Sequence, residues 1–289
     1  MMVAATNPKL LSGVARGAQR TGADFKHLLA TAQIESGGDP SARASTSSAA
    51  GLFQFTEQTW LQTVRQHGNR HGLDRAASAI QKTPGGRYAV SQEDARREIL
   101  ALRHDPSVSA AMAGELTRDN RSALTAELGR APTGAELYLA HFLGAAGASR
   151  MLQAAAEPDA VAAASVLPSA ARANANLFYR QGQAVTAQSL VGKIQGLYER
   201  VLTSVQPMTA PIPAETRPAV STPASGGNTL KEPALTKPAH LQVGETRVLS
   251  MNAHAQEVLM RRYIEIAANV RNTPTSESVR RQGCEALRS

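Results

Sequence analysis

Apolar residues recur every three to four positions along most of the first 200 residues, which is the period of an amphipathic α-helix. One such stripe consists of Phe25, Leu28, Leu29 and Ala32. Two glycines and a proline follow shortly after it, at positions 37, 38 and 40, and they predict where this helix ends. Its N-terminal cap is predicted to be Thr21 or Asp24.

The same period predicts further helices, joined by short loops that contain glycine or proline. They cover residues up to about 20, 57–67, 91–102, 106–120, 121–128, 134–144, 147–156, 158–164, 168–179 and 189–202. Ser91 and Asp94 are predicted to form a capping box at the start of helix 91–102. The stretch 68–91 lacks a clear period and is predicted to be an insertion of loops and short helices. No credible pair of strands is found, so the predicted fold class is all-α.

The composition changes near residue 205. Residues 205–245 are rich in Pro, Ala, Thr and Ser, and this composition is typical of a disordered linker. Residues 246–289 are predicted to be a tail with one amphipathic helix. The sequence therefore predicts a helical domain at 1–204, a linker and a tail. An aromatic content of only 4% favours close packing of small residues between the helices of that domain.

The formal net charge of +8 and the pI of about 10.0 suit a polyanionic partner, such as nucleic acid, an anionic membrane or an anionic cell wall. The basic residues are scattered rather than clustered, so nucleic acid is the least favoured of these. No stretch is long and apolar enough to span a bilayer, and the N-terminus does not resemble a signal peptide. Cys284 has no second cysteine to pair with. His67 and His71 lack the companion ligands that a metal site needs, so no metal is predicted.

Glu35 falls in the last turn of the predicted helix at 25–36, where the negative end of the helix dipole disfavours an anion. A carboxyl placed there, and partly removed from water, should have a raised pKa. This is the property that a general acid for glycoside cleavage needs. Position alone is also compatible with a solvated residue at a helix end.

The residues around Glu35 extend this argument. Glu35-Ser36 at the helix end, Asp39-Pro40 in the next loop, and then Gly-Leu-Phe-Gln at 51–54 resemble the Slt-type lytic transglycosylases, which have a lysozyme-like fold. In that family the corresponding segments read Glu-Ser, Asn-Pro and Gly-Leu-Met-Gln. The resemblance implies that Glu35 is the single catalytic acid/base and that Gln54 lines the sugar-binding cleft. Trp60 is favoured as a core anchor over a sugar-stacking residue.

A second resemblance lies in residues 140–144, which stand where the family has Ala-Tyr-Asn-Ala-Gly. The Tyr and Asn of that motif are replaced here, and His141, Tyr138 or Glu136 is expected to supply the missing hydrogen bond in the cleft. The predicted substrate-binding residues are Ser36, Ser48, Phe53, Gln54, Tyr138 and His141.

The resemblance implies a peptidoglycan lytic transglycosylase that needs no metal or cofactor. It would cleave the β-1,4 bond between N-acetylmuramic acid and N-acetylglucosamine and leave 1,6-anhydro ends. A goose-type-like lysozyme and a non-catalytic wall-binding component are the alternatives. The expected location is the periplasm or cell envelope, with delivery by secretion, flagellar or phage machinery, through the tail, as one possibility.

Overall fold

The computed structural model of the chain describes residues 7–45 and 47–205. Its elements are α1 (Pro8–Thr21), α2 (Phe25–Ser36), α3 (Glu57–His67), α4 (Asp74–Ala79), β1 (Ile80–Lys82), β2 (Tyr88–Val90), α5 (Glu93–Ala101), α6 (Pro106–Leu128), α7 (Gly134–Leu143), α8 (Ala145–Ala156), α9 (Ala163–Val166), α10 (Pro168–Ala173), α11 (Ala175–Phe178), β3 (Tyr179–Arg180), β4 (Gln183–Ala184) and α12 (Ala187–Val205). Short 3-10 turns cover Gly68–His71 and Leu102–His104. The predicted all-α fold class is confirmed.

Helix α2 lies at the centre of this domain, because every residue from His27 to Glu35 is buried. A helix that is covered on all sides cannot show a clean polar face, so only part of its surface follows the expected apolar stripe. Helices α1, α6 and α12 pack against it. The end of α2 is thereby held inside the domain rather than at its surface.

Helices α1 and α6 pack unusually closely through small residues. A Cβ atom added at Gly13 would lie 2.5 Å from Pro106, and one added at Gly17 would lie 2.6 Å from the backbone of Ala110. One added at Gly114 would meet Thr21. The contacting positions recur every four residues on each helix. Because most of them are glycine or alanine, the backbones of α1 and α6 approach each other closely along one continuous line.

The structure corrects several predicted helix bounds. The predicted helices 106–120 and 121–128 are one helix, α6, because buried positions continue through the supposed break: Ala113, Thr117, Asn120 and Leu124. Helix α5 begins at Glu93, and its N-cap Gln92 makes no side-chain capping bond, so the predicted Ser91–Asp94 capping box is wrong. Residues 158–162 are not helical; helix begins only at Ala163. Asn174, at φ −134°, interrupts the predicted helix 168–179.

The absence of strand pairs was also a wrong prediction, because two short antiparallel hairpins occur. In the first, Ile80 pairs with Val90 and Lys82 with Tyr88. Its backbone at Tyr88 exchanges two hydrogen bonds of 2.9 Å with the side chain of Gln58 on α3. The second hairpin joins β3 to β4 through Gln181, whose φ of 52° is in the left-handed region.

The predicted domain boundary at 204 falls one residue before the end of α12, and Val205 is fully buried. The predicted linker at 205–245 lies outside the described residues apart from Val205, and the tail at 246–289 with Cys284 lies outside them altogether. Within the described part of the chain, no helix combines the length and the apolar character needed to cross a membrane.

Candidate active site

Helix α2 carries Glu35 in its last turn. The carboxylate of Asp24 accepts a hydrogen bond of 2.7 Å from the N–H of His27, so Asp24 rather than Thr21 caps the start of the helix. Gly37 ends the helix at a φ of 68° and donates its N–H to carbonyls of the last turn. The helix end therefore occurs where the glycines predicted it.

Glu35 is only 3% exposed. The hydroxyl of Tyr138, from α7, donates a hydrogen bond of 3.0 Å to its Oε1 atom. Burial raises the pKa of Glu35 from its ordinary 4.5 to about 7, although the hydrogen bond from Tyr138 acts in the opposite direction by favouring the anion. Near neutral pH this carboxyl is therefore divided between its acid and its anion.

His141 lies near the same oxygen of this carboxyl, with its Nε2 atom 3.9 Å from Oε1 of Glu35 and its side chain 14% exposed. Burial lowers the pKa of His141 to about 4, and a hydrogen bond with the backbone of Phe53 only partly opposes this. His141 is thus neutral at every pH at which Glu35 changes its protonation. The two groups form an uncharged polar pair rather than a salt bridge below pH 7.

Of the three residues expected to replace the Tyr and Asn of the family motif, Tyr138 makes the hydrogen bond to Glu35, and His141 lies beside it. The rings of Tyr138 and His141 stack with 6.3 Å between their centroids. The carboxylate of Glu136 binds other groups: it completes a capping box with Thr133 and forms an ion pair of 2.6 Å with Arg130. Glu136 as a cleft residue was therefore a wrong expectation.

The Gly-Leu-Phe-Gln segment at 51–54 folds as a tight loop against the end of α2. Ser36 donates its hydroxyl to the carbonyl of Leu52 at 2.9 Å, which fastens the loop to the helix end. Gln54 adopts a φ of 46°, uncommon for a residue with a side chain. Its amide nitrogen donates to the carbonyl of Gly51 at 2.9 Å, while its Oε1 atom is buried with no hydrogen-bond partner. A buried acceptor left in this way is costly unless a ligand supplies the donor.

A buried arginine holds the loop from behind. The Arg103 guanidinium donates to the carbonyls of Ser48 and Phe55, at 2.5 and 3.0 Å. A Cβ atom at Gly51 would lie 2.0 Å from the carbonyl oxygen of Arg103, so only glycine fits there. Burial lowers the pKa of Arg103 to about 10, which still leaves it charged at neutral pH.

Two further predicted substrate-binding residues, Phe53 and Ser48, make contacts within the fold. The ring of Phe53 is fully buried in the core, because the tight turn of its loop directs the ring inwards. Ser48 is exposed, but its hydroxyl accepts the N–H of Glu57 at the start of α3. Trp60 is fully buried and donates its indole N–H to the carbonyl of Ile99 at 2.7 Å, as expected of a core anchor.

His67 and His71 contact acidic residues of α6. His67 lies 2.7 Å from Asp119, and His71 lies 2.8 Å from the buried carboxylate of Glu115, which also contacts Arg118. Across residues 7–45 and 47–205, no three His, Cys, Asp or Glu side chains converge as a metal ion would require. These pairs join the end of α3 and the following 68–71 turn to α6.

No sequence pattern predicted a role at the site for three polar residues that lie near it: Arg103, His27 and Tyr198. His27 and Tyr198 form a hydrogen bond of 2.9 Å although 171 positions separate them.

A shallow cavity of about 230 Å³ opens beside the loop after α2 and is lined by Pro40, Ser41, Arg43 and His104. Glu35 is not among the residues of that cavity.

The described part of the chain is an all-α domain consistent with a lysozyme-like fold, and a buried glutamic acid with a raised pKa ends its central helix. The family described as the transglycosylase SLT domain matches residues 14–81, from the second half of α1 to β1. This match supports an Slt-type lytic transglycosylase domain in this part of the chain, as the resemblance around Glu35 implied. The matched domain supports a peptidoglycan-cleaving function of the lytic transglycosylase type in general, and it implies peptidoglycan as the substrate and the periplasmic or envelope side as the location.

Proposed function

We propose that this domain cleaves the β-1,4 bond between N-acetylmuramic acid and N-acetylglucosamine, with Glu35 as the only acid/base, and that it leaves 1,6-anhydro-N-acetylmuramic acid ends. The observation that carries the proposal is the buried carboxyl of Glu35, whose pKa is about 7. Burial, and not a neighbouring carboxylate, raises this pKa. Glycosidases that activate water use a second carboxyl for that step.

The first step is proton donation. Because Tyr138 donates to Oε1 of Glu35, the acid proton of Glu35 belongs on Oε2. Oε2 gives this proton to the glycosidic oxygen as the bond from that oxygen to C1 of the muramic acid breaks. The N-acetyl carbonyl of the same sugar stabilises the positive charge that develops at C1. N-acetylglucosamine leaves with the proton on its 4-hydroxyl.

The second step returns the proton to Glu35. The carboxylate formed in the first step is buried and lacks a countercharge, because His141 is neutral, so it is a stronger base than an exposed glutamate. It takes the proton from the C6 hydroxyl, whose oxygen bonds to C1 and closes the anhydro ring. An attached nucleophile has a high effective concentration, on the order of 10⁵ M or more when well oriented, which favours it over water.

Three groups at the site support binding of an N-acetylated sugar. The unpaired Oε1 of Gln54 offers a buried acceptor for a sugar N–H or hydroxyl donor. His141 and Ser36, which are partly exposed, form the margin through which a sugar would approach Glu35. The amide of Gln54 is held in place by its bond to Gly51, so its acceptor is already oriented before a ligand binds.

The experiment is digestion of purified murein followed by mass spectrometry of the products. The wild-type chain should release muropeptides that are lighter by one water than hydrolysis products. Glu35→Gln should abolish them, because an amide neither gives nor accepts the proton, and losing general acid/base catalysis costs roughly 10²–10⁴ in rate. Glu157→Gln, the same chemical change at an exposed position, is the matched control and should stay active.

Two results would contradict the proposal. Reducing ends in place of anhydro ends would show that water is the nucleophile, as in a goose-type lysozyme. Undiminished cleavage by the Glu35→Gln chain would remove Glu35 from the acid role.

We also propose that the catalytic domain ends with α12 and that residues 206–289 attach it to the secretion, flagellar or phage machinery that brings it to the wall. The burial of Val205 shows that the folded domain extends at least to this residue, and the change in composition that follows it supports the boundary. Removing residues 206–289 should leave cleavage of soluble murein fragments intact and abolish delivery in cells. Normal delivery of the shortened chain would contradict this role of the tail.

A further inference from the structure

Tyr198 of α12 contacts the tyrosine that bonds to Glu35. Its ring stacks on the ring of Tyr138, with 6.1 Å between the centroids and 23° between the planes. Helix α12 lies outside the part of the chain that matches the SLT family, which ends at residue 81. The contact is therefore a feature of this chain that the family match does not cover.

Helix α7 is shaped to receive this ring. A Cβ atom added at Gly134 would lie 2.5 Å from the hydroxyl oxygen of Tyr198 and 3.0 Å from its ring. Gly134 and Tyr138 are four residues apart, on the same face of α7. The missing side chain at Gly134 thus makes the space in which Tyr198 lies against Tyr138.

The hydroxyl of Tyr198 is anchored on α2. It lies 2.9 Å from Nδ1 of His27, and both groups are buried. Burial lowers the pKa of His27 to about 4; Arg121 and His141 act in the same direction and Asp24 against it. The hydrogen bond therefore joins two neutral groups and does not depend on pH near neutrality.

His27 and Glu35 lie on the same helix, about two turns or ~12 Å apart. Tyr198 contacts α2 through His27, and Tyr138 contacts α2 through Glu35. The two tyrosines stack between these points, so a closed ring of contacts joins α2, α7 and α12. Within this ring, Tyr138 cannot move away from Glu35 without disturbing its stack with Tyr198.

We propose that Tyr198 is a positioning residue of the active site, which holds the hydroxyl of Tyr138 against Glu35 and is itself anchored by His27. This inference rests on the proposed role of Glu35. The contacts of Tyr198 are with Tyr138, His27 and Gly134 rather than with the carboxyl of Glu35. It acts through the orientation of Tyr138, in a site where a displacement of about 1 Å costs on the order of 100-fold in rate.

The test compares kcat and the pH profile of murein cleavage in full-length variants. Tyr198→Leu should lower kcat about 10-fold to 100-fold. It should also move the alkaline limb of the profile to higher pH, because the hydrogen bond from Tyr138 no longer favours the anion of Glu35. Tyr198→Phe keeps the ring but loses the bond to His27, so its kcat should lie between those of the wild type and Tyr198→Leu.

The matched control is Leu197→Ala, which removes a fully buried side chain from the neighbouring position of α12. It should lower the melting temperature and leave the pH profile unchanged. If Tyr198→Leu does not fold, Gly134→Ala displaces the Tyr198 ring without altering Tyr198 itself, and the same change of profile is expected. In a Tyr138→Phe background, Tyr198→Leu should have no further effect on kcat, because the group it positions is gone.

The inference is overturned if the Tyr198 and Gly134 variants keep the wild-type kcat and alkaline limb while Glu35→Gln is inactive. It is also overturned if Tyr198→Leu lowers kcat equally in the wild-type and Tyr138→Phe backgrounds. A fully active Glu35→Gln chain is a different failure, because it contradicts the proposed function before Tyr198 is considered.

Discussion

Replacing Glu35 with glutamine should change the pH dependence of folding stability as well as the catalytic rate. A carboxyl that is buried without a countercharge resists ionisation in the folded chain and ionises freely in the unfolded chain. Glutamine has nearly the same shape and no proton to lose. Comparison of the two chains therefore isolates the contribution of one ionisation to the free energy of unfolding.

The magnitude follows from the pKa of Glu35, which is about 7 in the folded chain against an ordinary 4.5. Below pH 4.5 the carboxyl is protonated in both states and costs nothing. Between these values the unfolded chain releases its proton first, so stability is lost as the pH rises and the loss is complete above about pH 7. The difference in pKa corresponds to about 3 kcal/mol.

The Glu35→Gln chain should therefore gain about 3 kcal/mol over the wild type between pH 4.5 and pH 8. For a domain of this size, that gain corresponds to about 6–12 °C in Tm. The new amide N–H₂ group must also find partners, at a cost of about 1–3 kcal/mol. That cost does not depend on pH, so it shifts the stability of the Glu35→Gln chain equally at every pH. The change in the stability difference between pH 4.5 and pH 8 is unaffected.

The assay is denaturant and thermal unfolding of both chains, followed by circular dichroism at intervals from pH 4.5 to pH 8.5. Glu157→Gln serves as the control, because its carboxyl is exposed to water when the chain is folded and when it is unfolded. Its difference from the wild type should be flat across the range. Wild-type and Glu35→Gln curves that run parallel within about 0.5 kcal/mol would refute the buried, uncompensated carboxyl on which the acid role depends.

Three other measurements test the fold and the site. Activity on murein should stay level near pH 5–6 and fall about tenfold per pH unit above about 7, as Glu35 loses its proton; a rate that is flat to pH 9 would contradict its acid role. Gly17→Ala should lower the free energy of unfolding by about 1–3 kcal/mol, because its Cβ would press on the backbone of α6. Gly192→Ala, which has open space around it, is the control and should be neutral or stabilising. Equal effects of the two changes in urea titrations would contradict the close helix contact. A chain that ends at Val205 should keep its cooperative melt and its activity on soluble murein fragments. A chain that ends at Leu202 should have a lower melting temperature, because it lacks the buried Val205. Loss of activity in the longer of these two chains would place the domain boundary elsewhere.

The sequence could predict the features of this site that depend on neighbouring residues. The helix that carries Glu35, its end at Gly37 and the general all-α fold follow from local apolar spacing and from glycine and proline. The prediction that Glu35 has a raised pKa also agrees with the structure, although burial is the main cause. The depth of that burial depends on helices far along the chain, which local patterns do not describe.

Residues brought together from distant positions could not be predicted in the same way. Tyr138 lies 103 positions from Glu35, and the sequence could not choose among it, His141 and Glu136, because all three lie on one short helix. Glu136 remained among the alternatives because its ion pair with Arg130 depends on how the loop before α7 folds, which the spacing along the helix does not show. Hairpin β1–β2 was missed because strands of three residues are too short to show alternation.

The hydrogen bond from Tyr138 joins residues that are 103 positions apart, so it cannot form until α7 has been synthesised. During synthesis the residues of α2 emerge before those of α7, and a glutamate that is still exposed to water is ionised at neutral pH. Burial raises the pKa of this carboxyl to about 7, so the proposed acid is protonated to a useful extent near neutral pH only after the helices around it have docked and expelled water. Under the proposed role of Glu35, completion of the fold is therefore the step that makes the acid available, and the partly synthesised chain would lack it.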